Sequence, residues 1–141
     1  MPNIRAIDLF CGTGGLSLGL QQAGIEVVAG IDLERRCKYP YEHNLNAQFI
    51  EASVVDVTAE MLDQLWGEGT LRLLAGCAPC QPFSSQRRGK DPSQDKNWRL
   101  LDEFGRLVRE TRPDYVTMEN VPLLARDAMF ERFVRTLERA G

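Results

Sequence analysis

No run of about 20 apolar residues occurs anywhere in this 141-residue sequence, which excludes a transmembrane helix of ordinary hydropathy. The opening MPNIRAIDLF lacks the charged start, apolar middle and small-residue cleavage site of a secretory leader, so a reducing cytoplasmic setting without disulfides is expected. Histidine is nearly missing: His43 is the single one, beside four cysteines, Cys11, Cys37, Cys77 and Cys80. Of these only Cys77 and Cys80 are close in sequence. A closed zinc site needs four N or S ligands, usually in two close pairs, so no metal is assigned. An excess of positive charge is lacking too. A net charge of −3 means that the chain as a whole is not a basic nucleic-acid binder, although Arg87, Arg88, Lys90, Lys96 and Arg99 crowd one segment. Repeats, low-complexity stretches and linkers are absent, and the length fits one domain over residues 1–141.

What is present is an alternation of strand and helix patterns. Apolar runs at 4–10, 25–31, 48–51, 71–76 and 115–118 read as five strands. Helical patterns fall between them: Leu16 to Ala23 closed by Gly24, a stretch over 34–46 despite Pro40, and a helix from Thr58 to Gly67. Two more follow, with Leu100, Leu101, Phe104, Leu107 and Val108 on one face, then Phe130, Phe133, Val134 and Leu137 after a cap at Asp127. Such alternation predicts an α/β fold, a mostly parallel sheet with helices on both faces. Ligands in these folds bind outside the carboxyl ends of the strands. The chemically notable residues gather there: the 11–15 turn after the first strand, Asp32 after the second, Cys80 after the fourth, Glu119 and Asn120 after the fifth.

The stretch DLFCGTGGLSLGL begins at Asp8. Gly12, Gly14 and Gly15 permit a tight turn and close approach of a ligand. Asp32, 20 residues beyond Gly12, is placed to accept hydrogen bonds from ribose hydroxyls. The dinucleotide fingerprint fails, because Ser17 stands where its third glycine belongs. A nucleoside cofactor without a pyrophosphate remains, with a purely structural turn as the alternative.

GCAPCQPFSSQRRGK, residues 76–90, poses the main chemical question. A redox pair would start a helix directly, whereas Pro82 and a long polar stretch follow Cys80. A single nucleophile fits better: Pro79 stiffens the approach to Cys80, and Glu119 ends a neighbouring strand. A thiolate paired with a carboxylic acid suits an electron-poor ring, with sulfur adding to carbon while the acid serves a ring nitrogen. His43, in a predicted helix, reads as a surface residue rather than a protease base.

These motifs together resemble cytosine-C5 DNA methyltransferases. DLFCGTGGLSLGL is similar to their S-adenosylmethionine loop, PCQPFS to their nucleophile motif and MENVP to their glutamate motif, in the same order. The resemblance implies a Rossmann-like S-adenosylmethionine-dependent methyltransferase fold. It places Phe10, Gly12, Gly14 and Leu16 along the cofactor, Asp32 at the ribose, Leu33 beside the adenine, Asp56 and Val57 at the adenine edge, and Leu100 against the cofactor. It makes Cys80 the nucleophile and Glu119 the acid at cytosine N3. Pro79, Ser84, Ser85, Gln86, Arg87, Asn120 and Val121 become contacts to the flipped-out target nucleotide in DNA, a bacterial or phage-like cytoplasmic setting and a restriction–modification role being implied.

In such enzymes a glutamine/arginine motif, a target-recognition region and two further strands are expected beyond LERAG, so the chain is expected to hold about five of seven strands. An incomplete, inactive fragment or one subunit of a split enzyme, completed by a second chain, is the expectation that follows. An RNA-directed relative and a non-catalytic cofactor-binding module are the rival readings.

Overall fold

The computed structural model describes residues 3–79, 97–126 and 128–141. Cys80, Ser84, Ser85, Gln86 and Arg87 lie outside the described residues, as do Arg88, Lys90, Lys96 and Asp127.

The apolar runs form strands β1 (Ile4–Leu9), β2 (Glu26–Asp32), β3 (Gln48–Glu51), β4 (Leu71–Gly76) and β5 (Tyr115–Met118). They make one sheet in the order β3-β2-β1-β4-β5, and every pairing is parallel. Parallel neighbours need crossovers, and helices α1 (Gly15–Gln22), α2 (Lys38–Asn44), α3 (Ala59–Trp66) and α4 (Asn97–Thr111) fill the intervals, with α5 (Ala128–Ala140) following β5. The chain runs outward from β1 to β3 and then returns to the other side for β4 and β5. The order therefore switches between β1 and β4, and a crevice opens beyond their carboxyl ends.

Side-chain alternation along β1 divides the core. Ile7 and Leu9 face one way, packing with Ile31 and Leu74 against Leu62 and Trp66 of α3, Leu101, Phe104, Leu107 and Val108 of α4, and Phe133 of α5. Ala6 faces the other way with Val27 and Leu73, next to a cluster of Cys11, Tyr41, Leu45 and Phe49. At the crevice the packing is close: a Cβ added to Gly76 would lie 2.9 Å from the Leu9 carbonyl oxygen and 3.2 Å from the Phe104 ring. Only glycine lets the tip of β4 sit between β1 and α4.

Local signals explain most boundaries. The Thr58 hydroxyl accepts the Met61 N–H at 3.3 Å to start α3, and Gly67 ends it at φ 69°. The single helix expected over 34–46 is corrected to a short 3-10 turn, Arg35–Cys37, followed by α2. Glu34 caps the turn by accepting the Arg36 N–H at 3.2 Å. Pro40 is the third residue of α2, where a missing N–H deprives no helical carbonyl. Leu45 turns extended and enters the core beside Tyr41, which ends α2 early. Among the described residues no helix is long and apolar enough to cross a membrane.

Candidate active site

Beyond β1 the backbone turns through Phe10, Gly12 and Gly14 at φ values of 58°, 52° and 97°. A phenylalanine in the left-handed region is strained and persists where its surroundings over-determine it. Here the Cys11 N–H donates to the Ile31 carbonyl at 3.3 Å and the Gly14 N–H to the Cys11 carbonyl at 2.9 Å. The turn presents the Gly12 N–H to Oδ2 of Asp32 at 2.8 Å, while the Glu34 N–H donates to Oδ1, also at 2.8 Å. Asp32 is thereby oriented by two backbone donors and keeps lone pairs on both oxygens for a ligand.

A cavity of about 300 Å³ opens beside it, lined by Phe10, Asp32, Leu33, Ala52, Ser53, Val54, Cys77, Pro79 and Leu100. Its walls are mostly apolar, with Asp32 the one charged group among the described residues that line it and Leu33 71% exposed at the rim. The cavity thus brings together Phe10, Asp32, Leu33, Pro79 and Leu100 of the residues read from the sequence.

Others fall around it. Gly12 joins through its bond to Asp32. Gly14 is pressed under α2, and a Cβ there would lie 2.3 Å from Leu45 Cδ1. Leu16, on α1, is half-buried and is not a cavity wall. Asp56 is exposed just past Val54, whereas the Val57 side chain belongs to the main core and leaves only its backbone for a ligand. Glu119, exposed at the tip of β5, donates its N–H to the Gly76 carbonyl at 3.0 Å. Asn120 donates from Nδ2 to the Ala78 carbonyl at 2.9 Å and accepts the Val121 N–H on Oδ1 at 2.8 Å. That side chain ties the loop after β5 to the loop after β4, immediately before Pro79. Ala52, Ser53, Val54 and Cys77 line the cavity without having been singled out in sequence.

A buried polar chain lies under the glycine turn. Ser17 Oγ donates to Asp8 Oδ2 at 2.6 Å and meets the Tyr41 hydroxyl at 2.9 Å. Gly30 makes room for the tyrosine, since a Cβ there would sit 2.4 Å from its hydroxyl. Asp8 Oδ1 is buried without a hydrogen-bond partner. Burial pushes the Asp8 carboxyl up to about 6; the bonds from Ser17 oppose this, and the charges of Asp32 and Glu119 add to it. Burial also raises the Cys11 thiol and the Tyr41 hydroxyl far above their usual ranges. The sequence signal for this network was Ser17 itself, the residue that breaks the dinucleotide fingerprint, together with an aspartate inside an apolar strand. Among the described residues no group of three or more His, Cys, Asp or Glu side chains is arranged to hold a metal ion.

This parallel sheet with an acidic residue fixed at the tip of β2 beside a glycine turn has the architecture of the Rossmann-like, nucleoside-binding class. The S. pombe Dnmt2 methyltransferase structure shares the fold, with a TM-score of 0.74 and 20% identity, over 97% of this chain and 40% of that one. Within the class, the chain belongs to the family described as C-5 cytosine-specific DNA methylase, whose pattern matches residues 4–141. The Type II methylase M.HgiDII of Herpetosiphon aurantiacus is 45% identical over 138 residues, 96% of this chain and 38% of that protein. The tRNA (cytosine(38)-C(5))-methyltransferase of Bos taurus is 27% identical over 147 residues, 100% of this chain and 36% of that protein. The chain thus spans less than half the length of either relative.

Proposed function

We propose that the protein transfers a methyl group from S-adenosylmethionine to C5 of cytosine in DNA, with this chain supplying the cofactor cradle and the two groups that activate the base. The observation that carries the reading is the site at the β1/β4 switch point: a carboxylate locked by the Gly12 and Glu34 N–H groups, facing an apolar cavity that Leu33, Val54 and Leu100 wall. These residues fit a nucleoside. Asp32 has free lone pairs for a ribose diol, the apolar walls suit a purine face, and Asp56 stands beyond Val54 to accept from its amino group. When bound, S-adenosylmethionine supplies a methyl group made electrophilic by its sulfonium.

Cytosine C5 is too weakly nucleophilic to accept a methyl group unaided. In this reading the Cys80 thiolate adds to C6 while Glu119 delivers a proton to N3, so the ring electrons collect at C5. After methylation a solvent water takes the C5 proton, the C–H electrons form the C5=C6 bond as the C6–S bond breaks, and Cys80 is released as the thiolate while N3 returns its proton to Glu119. Sulfur must approach above the ring plane, so the base leaves the stack. Asn120 holds the Ala78 carbonyl and thus the approach to Pro79 and Cys80, and Ser84 to Arg87 meet the extruded nucleotide.

The test is covalent trapping by the whole protein that carries this sequence, with S-adenosylmethionine and duplex DNA containing 5-fluorocytosine. The fluorine cannot leave as a proton does, so an adduct should persist. Its loss in Cys80→Ala and its retention in Cys77→Ala are expected. Equal loss in both, or no adduct, overturns the assignment. An adduct on 5-fluorocytosine tRNA instead of DNA transfers it to RNA, the substrate class named for the bovine relative.

A further inference from the structure

The 3-10 turn Val54–Asp56 carries the group proposed to read the purine edge. It is one turn long, anchored by the buried Val54 and Val57 side chains and by the Asp56 N–H donating to the Ser53 carbonyl at 2.9 Å, while its Val55 and Asp56 side chains are exposed and its N-terminal cap is a 3.4 Å bond from the Val55 N–H to Ser53 Oγ. A further grip on its carbonyls comes from α4. Arg106 NH2 donates to the Val57 carbonyl at 2.9 Å and to the Val54 carbonyl at 3.3 Å, one on each side of Asp56. The guanidinium is held in place from its own helix, with Nε donating to Glu103 at 2.6 Å and NH1 to Glu110 at 2.9 Å.

The planar guanidinium holds its donors in fixed directions, so carboxylates bound at Nε and NH1 fix the plane and leave NH2 aimed. The two acids lie three residues before and four after Arg106 and bind it within α4. The NH2 bonds are the ones that cross to another element. Arg106 is half-buried there, which strengthens charge-assisted bonds relative to open solvent. The same helix brings Leu100 to the cavity wall. Two separate walls of the cavity are thus fastened to one helix.

We infer that Arg106 is a positioning residue for cofactor specificity: by bracketing the Val54–Val57 turn it aims the Asp56 carboxylate at the purine amino group and locks that wall to the helix bearing Leu100. The inference rests on the function proposed above and deepens it. A carboxylate held in one place accepts from a 6-amino group and repels a 6-oxo group. A carboxylate on a loosened turn swings away and distinguishes the two poorly.

The experiment compares binding of S-adenosylmethionine and its 6-oxo counterpart, S-inosylmethionine, by calorimetry on the full chain. The unmodified protein should favour the amino form. In Arg106→Gln the affinity for S-adenosylmethionine should fall about tenfold and the amino-over-oxo preference about fivefold or more, whereas binding of the oxo form falls by no more than about twofold. Arg106→Lys, which keeps one donor, should recover part of the preference. Equal weakening for both ligands would mark Arg106 as merely structural and overturn the inference. The double variant Glu103→Gln, Glu110→Gln leaves Arg106 and the turn intact and should lower the preference about two- to threefold. An unchanged preference in that variant overturns the inference even where Arg106→Gln does not fold. If the unmodified chain binds neither ligand, the cofactor reading itself fails; if it binds both equally, only the role of Asp56 and Arg106 fails.

Discussion

Asp8 is 1% exposed, and one of its oxygens has no partner, so its charged form is disfavoured in the folded chain. Its carboxyl titrates near 6 when folded and at its ordinary 3.8 when unfolded. Between those values the unfolded chain has released the proton that the folded chain still holds. Stability therefore falls as pH rises from about 4 to 6, by on the order of 3 kcal/mol, and levels off above that. Tyr41 and Cys11 stay neutral throughout and add nothing to the slope, while the charges of Asp32 and Glu119 act on Asp8 in the same direction as burial. Urea unfolding of Asp8→Asn at pH 4, 5, 6 and 7 should show that slope largely abolished, with the variant gaining on the parent protein toward neutral pH. A second residue-scale expectation concerns Asp32. Asp32→Ala removes the acceptor for both backbone N–H groups and for the ribose, and calorimetry should show S-adenosylmethionine affinity reduced at least about tenfold.

At the scale of elements, the carboxyl end of β2 works by what it omits. Gly30 admits the Tyr41 ring, and a methyl group there would also lie 2.7 Å from Cys11 Sγ. Gly30→Ala must push α2 off the sheet or break the Tyr41–Ser17 contact, so a loss of about 1–3 kcal/mol in urea midpoints is expected. Helix α4 works by what it fills: Phe104 is fully buried and meets Phe133 at 5.5 Å between ring centroids. Phe104→Ala should cost about 3–5 kcal/mol by the same measurement. The strands and the caps of α3 were legible because periodicity and turn residues are local signals. The bounds of α2 were not: glutamate is a weak cap signal for the preceding 3-10 turn, and Leu45 leaving for the core depends on contacts with other elements. The carboxyl-edge placement of Asp32 followed from strand order, and that of Phe10 and Leu100 from the family resemblance, but the Asp8–Ser17–Tyr41 chain and the Arg106 clamp followed from neither. Each joins residues from different helices, and no spacing rule encodes that.

For the whole molecule, the cofactor reading carries a thermodynamic consequence. The proposed pocket draws walls from the ends of β1, β2 and β4, from α4 and from the loop after β3, so a ligand there adds contacts between elements already joined through the sheet, the core and Arg106. S-adenosylmethionine at about 100 times its dissociation constant should add about 2.7 kcal/mol of stability, read as a rise in melting temperature. Asp32→Ala should erase most of that rise at the same ligand concentration.

The central strand has a kinetic meaning as well. Ile4–Leu9 is made before the other four strands but cannot acquire its second neighbour until Leu71–Gly76 exists, and that neighbour gains its own only at Tyr115. A nascent chain emerging from the ribosome therefore exposes one flank of its central strand until Gly76 has emerged. Pairings so distant along the polypeptide slow the search for the native topology, so a late onset of pulling force in arrest-peptide measurements is the expected signature.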